Sequence, residues 1–117
     1  MIVVTTPSIP GYKIIKVLGV VHGLTIRARG IGGQISASLQ LLRGGRIEAY
    51  TSELEKAREE ALNRIIERAK AMGANAIIGA DFETSDIFQG TAVAVSVYGT
   101  AVIVEPKNKA SDEEAGS

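Results

Sequence analysis

Cysteine and tryptophan are both absent from the 117 residues. Without thiols there are no disulfides, no thiolate nucleophile, no iron–sulfur cluster and no cysteine-type zinc site. One histidine, His22, leaves soft-metal coordination or a serine relay with a single imidazole per chain. Five aromatic residues, Tyr12, Tyr50, Phe82, Phe88 and Tyr98, are too few to build base-stacking platforms. Excess charge of either sign is lacking too, since 13 Lys+Arg balance 13 Asp+Glu. The chain therefore has no bulk field to hold a nucleic-acid backbone or an anionic membrane. No apolar run approaches the roughly 18 residues of a membrane helix, and Met1–Pro7 carries no basic stretch ahead of an apolar one. The expectation is a cytoplasmic protein whose partners include neither nucleic acid nor membrane. GxSxG, HExxH and GxxxxGK motifs are all missing, which argues against an enzyme.

What is present is strongly patterned. Leu54, Ala57, Ala61, Leu62, Ile65, Ile66, Ala69 and Met72 recur at three- and four-residue steps, predicting an amphipathic helix from about Thr51 to Met72. Ser52 and Glu55 fit a capping box at its start, and Gly73 fits a left-handed cap at its end. Glu60 before Arg64 and Glu67 before Lys70 read as a solvated outer face. Three stretches rich in Val and Ile, Tyr12–Ala28, Asn75–Asp86 and Thr91–Val104, predict strands. Between the first strand and the long helix, Ile35, Leu39 and Leu42 predict a short helix within Gly30–Gly45, closed by the glycines of Arg43-Gly44-Gly45-Arg46. The expected fold class is α+β: a β-α-β-β two-layer subunit with one long helix on an antiparallel sheet. Residues 1–104 form its single domain, and the polar residues 105–117 form a disordered acidic tail.

A two-layer domain needs one apolar face per strand, yet here both parities are apolar. Along Tyr12–Ala28 one parity carries Tyr12, Ile14, Leu18, Val20, Leu24 and Ile26, and the other Ile15, Val17 and Val21. One helix covers one face, so the remaining face predicts a second copy of the chain, that is, a homo-oligomer. Charge is segregated along the chain in a way that suits head-to-tail contact. Residues 1–49 hold six basic and one acidic side chain, and residues 73–117 hold two basic and seven acidic.

Candidate sites are few. Arg27, Arg29, Gly30, Gly32 and Gly33 follow the first strand, where backbone N–H groups and a helix N-terminus can hold an anionic ligand. The third glycine of a dinucleotide fingerprint is missing, and the same glycines equally permit a tight strand-to-helix turn. For a divalent metal ion as cofactor, oxygen ligands must dominate: Asp81 and Glu83 share a strand face, with Asp86 near its end. His22 shares parity with Val20 and Leu24 and is expected to be a partly buried histidine unless Gly19 or Gly23 marks a bulge.

Thr5-Thr6-Pro7, Pro10-Gly11-Tyr12, Leu18-Gly19-Val20-Val21, Gly44-Gly45-Arg46, Lys56-Ala57-Arg58-Glu59, Gly73-Ala74-Asn75-Ala76, Asp81 and Ser96–Val102, in that order over about residues 3–104, resemble the YbjQ family. That resemblance implies a dodecin-like subunit in a ring-shaped homopentamer and a heavy-metal-binding description. It implies no reaction and no catalytic residue, and no site residue is carried over. The chain departs from the family across Arg27–Leu39, which is more basic and richer in glycine here. Three functions follow as expectations: a non-catalytic ring binding a metal ion or small ligand, an interaction scaffold without one, or an enzyme with its site between subunits.

Overall fold

A computed structural model of the chain describes residues 1–28, 48–87 and 92–107. Its elements are β1 (Ile2–Val3), β2 (Tyr12–Ala28), α1 (Glu48–Ala71), β3 (Ala76–Ile87) and β4 (Ala92–Pro106). The strands form one sheet in the order β1-β3-β4-β2, with α1, the one helix among the described residues, packed on it, an α+β fold as expected. The sheet is mixed rather than antiparallel throughout. β1 lies parallel to β3, with Ile2 opposite Ala76 and Val3 opposite Ile77; a strand of two residues is too short to give a periodic signal. Only four positions join β3 to β4, a hairpin length that a parallel crossover cannot use. The short helix within Gly30–Gly45 and its Arg43–Arg46 cap lie outside the described residues.

By packing the chain divides into two units, Met1–Val21 with Ile66–Asp81 and Tyr98–Ser117, and His22–Ile65 with Phe82–Val97. In the first unit the N-terminal segment is stitched along β3. The Val4 N–H donates to the Ile77 carbonyl at 2.9 Å, Ala80 donates to Val4 at 3.0 Å and Gly79 donates to Thr6 at 2.8 Å. Two successive N–H groups, of Gly79 and Ala80, thus point to one side, a bulge that Gly79 permits at φ +62°. Ile9 then packs with Ala76, Ile78, Val102 and Val104, flanked by Ile2, Val4 and Tyr12. Ile77 and Ala101, of opposite parity, are fully buried as well. Part of the second apolar face is therefore covered by the chain's own first residues, and a second copy is not needed there.

The same unit closes both chain crossings with backbone-like bonds. Asn75 presents its amide to Val104 as a strand would, donating from Nδ2 at 2.9 Å and accepting at Oδ1 at 2.8 Å. Lys107 N–H donates to the Gly11 carbonyl at 2.8 Å, which puts the end of β4 at the start of β2, antiparallel. β4 thus runs two residues beyond Val104, where the tail was expected to begin, and residues 108–117 lie outside the described residues. α1 ends as expected: Gly73 sits at φ +91°, donates to Lys70 at 2.9 Å, and Ala74 donates to Ala69 at 3.0 Å, a Schellman cap. Its start differs. α1 begins at Glu48, so Ser52 and Glu55 lie inside the helix and do not cap it; the good helix formers upstream of Ser52 extend the helix past that signal.

In the second unit Ala57, Ala61 and Ile65 stand one above another at four-residue steps, all fully buried. The helix lies so close to β2 that a Cβ on Gly23 would sit 2.5 Å from the Ala61 carbonyl oxygen and 2.9 Å from the Ile65 nitrogen. On β4, Val93, Val95 and Val97 are buried, while Ala94 and Ser96 are half-buried, so in this part of the strand the odd parity faces the core. Gly23→Ala is expected to force the helix backbone outward and cost about 3 kcal/mol in urea unfolding. Val95→Asp, which buries an unpaired charge, is expected to abolish cooperative unfolding altogether.

Candidate functional site

The inward parity of β2's second half reads Gly23, Thr25, Arg27. Facing it, Glu53 and Glu60 are seven residues apart, two turns of α1, and therefore lie on one side of the helix. Small residues at Gly23 and Ala61 bring the two backbones together, and the polar side chains beyond them meet. Thr25, 3% exposed, donates its hydroxyl to Glu60 Oε2 at 2.6 Å. Arg27 donates from Nε to Glu53 Oε2 at 2.7 Å and from Nη1 to Glu60 Oε1. Arg64 donates from Nη1 to the Leu24 carbonyl at 3.0 Å, and Lys56 Nζ stands 4.0 Å from Glu53 Oε1. Beside this network the Arg58 guanidinium lies 6.0 Å from the centroid of the Phe82 ring.

Electrostatically the network is closed. The Thr25 hydroxyl, followed by the nearby Arg27 charge, holds the Glu60 carboxyl below its ordinary value. The bond to Glu53, with the charges of both carboxylates, raises Arg27. Two carboxylates thus engage the Nε and Nη1 groups of Arg27, while Arg29, Gly30, Gly32 and Gly33, the other members of the expected anion site, lie outside the described residues. Glu60 is not simply on a solvated face, since it closes an ion pair and accepts from a buried hydroxyl. Sequence reasoning missed Thr25, Glu53 and Glu60. Their signal was the shared parity of Thr25 with Arg27 and the seven-residue step on the helix.

The candidate metal ligands do not converge. His22, expected to be partly buried, is exposed, on the same parity as the exposed Val20, Leu24 and Ile26. Asp81, in the first unit, is exposed and accepts a hydrogen bond from the Tyr98 hydroxyl at 3.0 Å. Glu83 and Asp86, in the second, are both exposed. Among the described residues no group of three His, Cys, Asp or Glu side chains is placed to hold a metal ion. No helix among them is long and apolar enough to cross a membrane.

What β2 does offer is apolar surface. Ile14, Ile15, Val17, Val20, Leu24 and Ile26 are all exposed, Val20 at 76% and Val17 at 60%. Gly19, at φ +135°, sits in the middle of this stretch. Before it both parities are open, at Ile14, Ile15 and Val17. After it the strand alternates, with Val21, Gly23 and Thr25 buried and Val20, Leu24 and Ile26 outward.

The chain matches the family model YbjQ_1, described as "Putative heavy-metal-binding", over residues 1–105. A UPF0145 protein of Methanocella arvoryzae is 49% identical over 111 residues, covering 95% of this chain and 92% of that protein. A UPF0145 protein of Picrophilus torridus is 51% identical over 106 residues, covering 91% and 89%. Among solved structures, a protein of unknown function of the DUF74 family from Pediococcus pentosaceus shares the fold, with a TM-score of 0.63 at 18% identity over 90% of this chain and 98% of that one.

Because the folded Glu60 carboxyl titrates below 4.5, its contribution to stability is fully present above that pH and is lost as pH falls through the folded value. Thr25→Val narrows the gap between folded and unfolded values. The variant is expected to show a Glu60 carboxyl resonance titrating closer to 4.5 by NMR, and a smaller drop in melting temperature between pH 6 and pH 3 than the parent.

Proposed function

The chain belongs to the YbjQ family, and from that premise we propose that it works as a non-catalytic homo-oligomer, a pentameric ring, holding a metal ion or small ligand between its copies. The observation that carries the oligomer is β2: six large apolar side chains of one strand, on both of its parities, stand exposed, and exposed apolar side chains clustered along one element mark an interaction surface. The five-copy ring is the form the family resemblance implies.

The ligand half of the proposal follows from donor chemistry. A thiophilic heavy metal does not fit the donors of one chain, which has no cysteine and a single histidine and no group of three ligating side chains among its described residues. Such a site therefore draws on more than one copy, and the candidate ligands read from the sequence are the carboxylates Asp81, Glu83 and Asp86 and the imidazole of His22. These are oxygen and nitrogen donors, suited to a hard or borderline divalent cation.

Native mass spectrometry of the protein as purified is expected to show five chains with a reproducible additional mass. A bare five-chain ring whose melting temperature does not move with any divalent cation would remove the ligand and leave an interaction scaffold. A monomer at micromolar concentration would overturn the reading. Val20→Asp, at the most exposed apolar position of the strand, is expected to leave the fold intact by circular dichroism and to convert the assembly to monomers in sedimentation velocity.

A further inference from the structure

The sheet has two open edges, and they are chemically unlike. β2 has β4 on one side and, among the described residues, no strand on the other. β3 has β4 on one side, and β1 covers only its first residues on the other, in register at Ala76 and Ile77. The N-terminal segment accompanies it as far as Ala80, whose N–H donates to Val4. Past that point no strand lies beyond β3 among the described residues, and Glu83, Thr84, Ser85 and Asp86 are all exposed. An edge of this kind is a template for another strand.

The two edges also carry opposite charge. Apart from Arg27, which pairs with Glu53 and Glu60, β2 holds Lys13 and Lys16 and no acid, whereas past Asp81, which accepts from Tyr98, β3 holds Glu83 and Asp86 and no base. Two β2 edges brought together set lysine against lysine, and two β3 edges set carboxylate against carboxylate; either like-charge pairing is unfavourable. β2 against β3 is the favourable combination. It also covers β2 side chains that are exposed on both parities before Gly19, because a neighbouring strand flanks both rows at once.

We propose that copies of this chain join head to tail, the β2 edge of one copy pairing with the open β3 edge of the next, so that the sheet continues from subunit to subunit. The proposal rests on the homo-oligomer argued above and names its interface. An interface of this heterologous kind closes into a ring when the rotation per step divides a full turn, and it gives each copy one donor edge and one acceptor edge.

That asymmetry provides the test. Val20→Asp disables the β2 edge and leaves β3 intact. Thr84→Pro disables the β3 edge: strand alternation directs the Thr84 N–H to the side served by Ala80, so proline removes an outward donor and spares the ladder to β4. Each variant alone is expected to be a monomer in native mass spectrometry, and an equimolar mixture to give a 1:1 heterodimer and nothing larger. Thr84→Pro assembling like the parent, or a mixture that stays monomeric while both variants are folded, overturns the edge assignment. If Thr84→Pro fails to fold, charge reversal replaces it. Lys13→Glu/Lys16→Glu and Glu83→Lys/Asp86→Lys are each expected to weaken assembly at low salt at least tenfold, and the quadruple variant in one chain to restore it; no restoration overturns the assignment. A parent chain that is itself monomeric defeats the oligomer reading, whereas an oligomeric parent indifferent to these substitutions defeats only this interface.

Discussion

The close approach of α1 to β2 at Gly23 is the constraint on which the second unit depends. A Cβ there has no room, since the Ala61 carbonyl and the Ile65 nitrogen occupy the space it would take. Close contact of two backbones requires small residues on both sides, and Ala57 and Ala61 supply them on the helix. The result is a helix held near enough for the short Thr25 side chain to reach Glu60. Arg27, one step further along the same strand row, reaches both Glu53 and Glu60. Apolar packing and the ion-pair network are thus one arrangement: the first sets the separation that the second needs. In the first unit Gly99 has a related role, since a Cβ on it would meet the Ile77 side chain at 2.7 Å and the Ile78 carbonyl oxygen at 3.1 Å, so its lack of a side chain leaves room for Ile77.

This arrangement has consequences for function. A basic residue at the end of β2 was read as part of an anion site, and here it also pairs with two carboxylates of the helix. The acids of β3 look like metal ligands by parity, yet they remain spread along an exposed strand and Asp81 is engaged by Tyr98. The surface that stands out is apolar, on β2, and surfaces of that kind are recognised by protein rather than by small polar ligands.

Much of the architecture was legible from periodicity. The apolar steps from Leu54 to Ala69 marked α1, Gly73 marked its end, and the Val- and Ile-rich runs marked three of the four strands, because burial in helix and strand imposes periods of 3.6 and 2 on the chain. β1 was not legible, since two residues carry no period. The helix start was misread because a capping signal, Ser52 with Glu55, is local and does not stop a helix whose upstream residues also favour it. Apolar residues on both strand parities were read as calling for a second copy to cover the remaining face. In fact Ile9, Ile2, Val4 and Tyr12 cover part of that surface from within the chain. His22 was placed on the correct row, but whether that row is covered depends on neighbours that are distant in sequence.

The sequence by itself determined which elements form, which parity of each strand is apolar and which chemistries are excluded, because these follow from side-chain type and local spacing. Only the tertiary structure decided that Glu60 and Glu53 pair with Arg27, that the N-terminus covers one sheet face, and that the β2 row stays exposed. Those outcomes depend on which residues far apart in the chain are brought within a few ångströms. That separation is set by the space Gly23 and Gly99 leave and by the bonds of Asn75 and Lys107, none of which leaves a periodic trace in the sequence.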